Sequence, residues 1–289
     1  MPHIKLPDKT LFYTRTEPES PPASSHPVLL FIHGLGSSHS FYTPVMRHLA
    51  TAGYSSIAFD VYGSGLSELS PGTEAPTFSS IARDAENLLS ELSIPKENVV
   101  AVGHSMGGIV VAKLAASCNL RGAGLIGPVL PKPGLADIFS ARINTVKERS
   151  FNHTPKLRIQ ALTTSEDGME AMANAIPFAA TGTKSTLTQK AFIRALLLSQ
   201  KTDGYTALCD AIAKAERPVY ADAHCPLLII AGEEDKTSPV SDSETILKSW
   251  GSDDATKSMR VLPGVGHWHC IEAADEVCSA LEQFLAQAQ

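Results

Sequence analysis

Long apolar runs are missing from this sequence. No stretch of the 289 residues approaches the roughly 20 apolar residues that a bilayer-spanning helix requires, so no membrane association is expected. The start, Met1-Pro2-His3-Ile4-Lys5-Leu6, lacks the basic and apolar segments of a secretory signal, and the last residues carry no retention or lipidation signal. A cytoplasmic location is the expectation. A Lys/Arg stripe is also missing. With a formal net charge of −6, the surface disfavours non-specific nucleic-acid binding. The five cysteines (Cys118, Cys209, Cys225, Cys270 and Cys278) are odd in number, scattered, and never arranged as Cys-x-x-Cys. This excludes a cysteine metal motif and predicts free, mostly buried thiols in a reducing compartment. Internal repeats and low-complexity tracts are absent.

What is present is an ordinary globular composition, 43% apolar and 19% charged. The length suits one large domain, or a core carrying an inserted lid. Ile4–Leu6 and Leu11–Arg15 flank Pro7-Asp8-Lys9 as a short hairpin, and Glu17–Pro27 reads as a Pro/Ser-rich loop. Val28–Ile32, Ser55–Phe59, Asn98–Val102 and Ala123–Ile126 are short runs that fit strands covered on both faces. Helical patterns over Phe41–Ala52, Phe78–Leu92 and Ile109–Ser117 alternate with them. The alternation implies a mainly parallel α/β sheet flanked by helices. It breaks at Pro128, and from Gly134 to about Ala223 the pattern is helical. Strands resume at Pro226–Ala231 and Met259–Leu262, followed by an amphipathic helix over Ile271–Ala286. The expected organisation is a core of residues 1–133 and 224–289 with a helical cap, 134–223, over the carboxyl ends of the strands.

The chemistry-bearing segments sit where strands end. Gly103-His104-Ser105-Met106-Gly107 is a G-x-S-x-G turn between a buried strand and a helix. There the serine takes a strained conformation that lifts its hydroxyl above the sheet, and side chains at the two glycines would collide with neighbours. A serine hydroxyl needs a base. His267, in the glycine-rich loop Leu262–His267 after the last strand, is the candidate, ahead of His269. His104 and His33 fit packing or backbone-bonding roles better. The acid should follow the strand Leu227–Ala231. In Gly232-Glu233-Glu234-Asp235-Lys236 the choice falls on Asp235, with Glu234 as the substitute and Glu233 as surface charge. Asp235 would hold the imidazole in one tautomer. The backbone amides of Met106 and Leu35 would stabilise an oxyanion. No cofactor or metal is needed.

Taken with His33-Gly34-Leu35-Gly36 and Asp60-Val61-Tyr62-Gly63-Ser64-Gly65-Leu66-Ser67, these motifs resemble the α/β-hydrolase superfamily over nearly the whole chain. Serine at the turn separates the chain from epoxide hydrolases and haloalkane dehalogenases, which carry aspartate there. The insertion resembles that of the 3-oxoadipate enol-lactonase group, through Ser140–Ile143, Gly168–Ala173 and Leu196–Ala213. It departs at Arg149–Glu166, an extra stretch without clean helical period, expected as a surface loop. Arg142, Arg194 and Lys147 could meet an acidic substrate or could be solvated charge.

The resemblance implies a serine-dependent hydrolase of a small ester or lactone. One alternative is a slow hydrolase-receptor similar to the strigolactone and karrikin receptors, signalling through a partner. Others are a carbon–carbon hydrolase or a perhydrolase using the same triad. Oligomeric state is not legible.

Overall fold

The computed structural model describes residues 2–20, 26–151 and 168–287. The hairpin is formed by β1 (His3–Lys5) and β2 (Thr10–Thr16). The core then alternates through β3 (Val28–Ile32), α1 (Thr43–Thr51), β4 (Ser56–Phe59), α2 (Phe78–Glu91), β5 (Val99–His104), α3 (Met106–Ser117) and β6 (Gly122–Ile126). Four helices follow: α4 (Leu135–Phe151), α5 (Gly168–Ala179), α6 (Leu187–Leu198) and α7 (Thr202–Ala213). The core closes with β7 (Leu227–Gly232), α8 (Val240–Ser249), β8 (Lys257–Leu262), α9 (His269–Glu272) and α10 (Ala274–Gln287).

The strands form one sheet ordered β1-β2-β4-β3-β5-β6-β7-β8. The β1–β2 and β2–β4 pairs are antiparallel, and every pair from β4 to β8 is parallel. The central strands β4, β5, β6 and β7 are buried at every residue, as continuous apolar runs in a covered parallel sheet should be. Local chemistry marks several helix starts. Thr77 and Ser80 form a reciprocal capping box on α2, and Thr186 with Gln189 does the same on α6. Pro44 occupies the first turn of α1, where its missing N–H costs nothing.

The α4–α7 segment lies within 134–223, between two neighbouring strands of the same sheet. Here α4 packs on α5 and α7, and α5 on α6.

Several expected bounds move. The Phe41–Ala52 helix is a 3₁₀ turn, His39–Tyr42, followed by α1. The helix expected from Ile109 begins at Met106, directly after the serine. The terminal helix is two helices, interrupted at Ala273. Helix α8 was not expected at all. Only Asp242, Ser243 and Ile246 of it are buried, so it presents too short an apolar stripe to register as periodic. Of the stretch Arg149–Glu166, Arg149–Phe151 continue α4, and 152–166 lie outside the described residues. All five cysteines are free, with Cys209, Cys270 and Cys278 buried. No helix among the described residues is long and apolar enough to cross a membrane.

Candidate active site

Four parallel strands deliver the candidate groups at their carboxyl ends. Leu35 follows β3, Ser105 follows β5, Asp235 follows β7 and His267 follows β8. The turn after β5 is forced by close packing. A methyl group on Gly103 would lie 2.2 Å from the Gly107 carbonyl oxygen, and one on Gly107 would lie 2.2 Å from that of Ile32. Both positions therefore require glycine. Ser105 itself sits at φ 54, ψ −117, a conformation that costs a non-glycine residue free energy and holds its side chain off the sheet.

The hydroxyl of Ser105 lies 2.9 Å from Nε2 of His267, and Nδ1 of His267 lies 2.8 Å from Oδ2 of Asp235. All three residues are buried. The other oxygen of Asp235, Oδ1, accepts the N–H groups of Thr237 and Ser238 at 2.8 Å each. Burial alone would raise the Asp235 carboxyl. Its pairing with His267 and the Ser238 N–H outweigh that and hold it below the ordinary aspartate value. With a carboxylate accepting at Nδ1, the imidazole carries its proton there and leaves Nε2 free to accept the serine proton.

Glu234 takes a different place. It is half-buried, and its two oxygens accept the N–H and the hydroxyl of Thr183, at 2.8 and 2.7 Å. It thus ties the segment after α5 to the acid-bearing loop. Glu233 accepts the Gly264 N–H.

His104, His269 and His33 act on backbone. His104 Nε2 and His269 Nδ1 approach the carbonyl oxygen of His267 at 2.7 and 2.9 Å. A carbonyl only accepts, so both imidazoles donate from those atoms. Both are fully buried. Burial pushes His104 well below the ordinary histidine range and His269 down to about 4, so both are neutral near pH 7. His33 donates from Nδ1 to the Gly34 carbonyl and accepts the Val61 N–H at Nε2. Asp60 accepts the N–H and Nδ1 of His39 and the N–H of Leu66. Together His33 and Asp60 fasten the turn that carries Leu35 to the loop after β4. Met106 opens α3, so its amide is one of the helix N-terminal donors with no partner inside the helix.

A cavity of about 30 Å³ adjoins Ser105 and His267, with room for little more than a water molecule. The helical segment supplies Phe139, Arg142, Ile176, Leu197 and Tyr205 to its wall, and the core supplies Leu35 and Trp268. Arg142 is therefore a pocket cation, with its guanidinium 4.9 Å from the Phe139 ring centre. Arg194, on α6, instead binds Asn174 and Glu170 of α5. Among the described residues no group of three His, Cys, Asp or Glu side chains could hold a metal ion. The sequence reading overlooked Glu272. It is buried, and its carboxylate accepts three backbone N–H groups around His267. The available signal was a lone acid in the otherwise uncharged or histidine-bearing run after His267.

This is the fold of an α/β hydrolase. A model of the alpha/beta hydrolase family matches residues 29–280, and the chain belongs to that family. It is 26% identical over 253 residues to 3-oxoadipate enol-lactonase 1 of Acinetobacter baylyi, covering 82% of this chain and 80% of that one. Shorter matches, to a RutD protein of Variovorax paradoxus and a multifunctional-autoprocessing repeats-in-toxin protein of Vibrio vulnificus, cover 38% and 2% of those proteins. Among solved structures, an enol-lactonase from Burkholderia xenovorans superposes with a TM-score of 0.81 at 20% identity, over 99% of this chain and 100% of that one. A thermophilic esterase from Thermogutta terrifontis gives 0.80 at 20% identity, over 100% and 99%. At these identities the structural likeness establishes the shared fold.

Proposed function

We propose that this hydrolase cleaves a small ester or lactone through an acyl-enzyme on Ser105. The observation that carries the reading is the buried hydrogen-bonded chain from Ser105 through His267 to Asp235. His267 takes the hydroxyl proton as Ser105 Oγ attacks the carbonyl carbon. The amides of Met106 and Leu35 hold the oxyanion. The tetrahedral intermediate then collapses, and His267 gives the proton to the departing oxygen, which leaves as an alcohol or stays tethered when the substrate is a lactone. Water, deprotonated by His267, releases the acid.

Residues 134–223 act as the cap in this reading, because Phe139, Arg142 and Tyr205 close the cavity over Ser105. The cavity lining is mainly apolar with one cation, Arg142, which suits an acyl compound carrying a negative group. The enol-lactonase relatives agree with that choice. The test is a screen of short-chain p-nitrophenyl esters and of lactones, with and without a carboxylate. Hydrolysis by the native chain, lost in Ser105→Ala, supports the proposal. Equal rates in the two proteins contradict it.

A further inference from the structure

The backbone around His267 is held from every side, and one of those holds comes from the helical insertion. The His267 N–H donates to the carbonyl of Ala180 at 2.7 Å, the residue directly after α5. The flanking N–H groups of Gly266 and Trp268 both donate to Glu272, at 3.0 and 2.8 Å. The third donor to Glu272 is Gly182 of the insertion, at 2.6 Å. Oε2 takes Gly182 and Gly266, and Oε1 takes Trp268. One buried carboxylate therefore spans the seam between the two segments.

The seam has no slack. A methyl group on Gly182 would lie 2.3 Å from the Gly264 oxygen, and one on Gly266 would lie 2.5 Å from the Gly182 nitrogen. Lys184 adds an N–H bond to the Gly264 carbonyl at 3.2 Å. The two segments run backbone against backbone, with glycine where they touch.

We infer that Glu272 is a positioning residue that couples the insertion to His267, so that the Ala180–Gly182 segment sets where the imidazole stands between Ser105 and Asp235. The inference rests on the Ser105–His267–Asp235 reading above. Its physical basis is donor counting. Three N–H groups converge on two acceptor oxygens, and only a carboxylate presents two acceptors and no donor. Glutamine keeps the shape but replaces one oxygen by NH₂. At least one of the three N–H groups then loses its acceptor and faces another donor, so the His267 loop shifts against the insertion. A shift of an ångström in a catalytic base can cost about 10²-fold in rate.

The experiment follows phosphonylation of Ser105 by an alkyl fluorophosphonate, read by intact mass. The serine oxygen bonds to phosphorus, fluoride leaves, and the serine proton goes to His267, so the rate reports the base without any deacylation step. The wild-type chain, Glu272→Gln, Gly182→Ala and the double variant are compared, each with its melting temperature. The expected result is labelling about 10- to 100-fold slower in Glu272→Gln, still reaching one adduct per chain. Its kcat on p-nitrophenyl acetate should fall by the same factor while KM changes less than about three-fold. Gly182→Ala, whose methyl pushes the two backbones apart at the same seam, should show the same pattern. The double variant should be no slower than the slower single variant, because both act at one seam.

A purely structural role for Glu272 would instead lower the melting temperature and the final adduct yield, leaving the rate per labelled chain unchanged. That result overturns the inference, as do additive losses in the double variant. If Glu272→Gln is insoluble, Gly182→Ala decides alone, and a wild-type labelling rate there overturns the coupling. A wild-type chain that takes no phosphonate on Ser105 is a different failure, that of the triad reading itself.

Discussion

Gly168, the first residue of α5, stands directly against the backbone of Val146 in α4. A methyl group on Gly168 would lie 2.3 Å from the Val146 carbonyl oxygen and 2.6 Å from its Cα. The start of α5 thus lies beside the last turns of α4, so a cut between them need not stretch the remainder. Deleting 149–166, with Glu148 joined to Asp167, should leave soluble protein with a native-like melting transition, at the cost of the last residues of α4. Unchanged kcat and KM would mark the stretch as dispensable. A selective rise in KM would assign it to substrate choice. Failure to fold would show that the stretch packs against the insertion.

Asp235 and Glu234 are adjacent in sequence but serve different neighbours, His267 and Thr183. Asp235→Asn should lower kcat by about 10³- to 10⁴-fold, because the amide stabilises the wrong imidazole tautomer. Glu234→Gln should cost far less, since it touches an exposed bond outside the triad. Steady-state hydrolysis of a p-nitrophenyl ester ranks the two, and the reverse order would move the acid to Glu234.

Arg142 lines the cavity beside Ser105, whereas Arg194 is paired elsewhere. Arg142→Gln should raise KM for an ester bearing a carboxylate by about 10-fold, with little change for a neutral ester of the same size. The ratio of the two kcat/KM values is the readout. Equal effects on both esters would make Arg142 a packing residue.

Acid should weaken the fold before it protonates the Asp235 carboxylate. Burial pushes His269 down to about 4 and holds His104 well below the ordinary histidine range, while an unfolded histidine titrates near 6.5. Between pH 6.5 and about 4 the unfolded chain binds protons that the native chain refuses. Stability is therefore fully present above that window and falls as pH drops, by up to about 1.4 kcal/mol per pH unit for each histidine. Asp84, whose carboxyl is raised by burial, works in the opposite sense. Urea unfolding from pH 7 to pH 4.5 should show the decline, and His269→Asn should reduce its slope. An unchanged slope in that variant would contradict the assignment.

Much of this molecule is legible because its strands are buried on both faces. Val28–Ile32 is marked by apolar residues at every position, and its bounds in the structure are the same. Edge strand β8 is half exposed, and the sequence pattern there catches only Met259–Leu262. The candidate residues are legible for a related reason, since Ser105, Asp235 and His267 each follow a strand in a turn containing glycine. Spacing does not reveal that their side chains meet at 2.8 and 2.9 Å. Nor does it reveal Glu272, whose partners are backbone N–H groups from two segments about 90 residues apart. Backbone donors leave no trace in residue identity, so such bonds emerge only from the fold.

Ser105 is proposed to carry the acyl group between two chemical steps. Rapid mixing with excess p-nitrophenyl acetate tests it most directly, reading p-nitrophenol release together with the quenched mass of the peptide containing Ser105. A first-turnover burst of about one p-nitrophenol per active chain is expected wherever deacylation is the slower step. An acetyl mass should appear on Ser105, and both signals should be absent from Ser105→Ala. Steady hydrolysis by the wild-type chain with no acetyl on Ser105, and undiminished by Ser105→Ala, would contradict it.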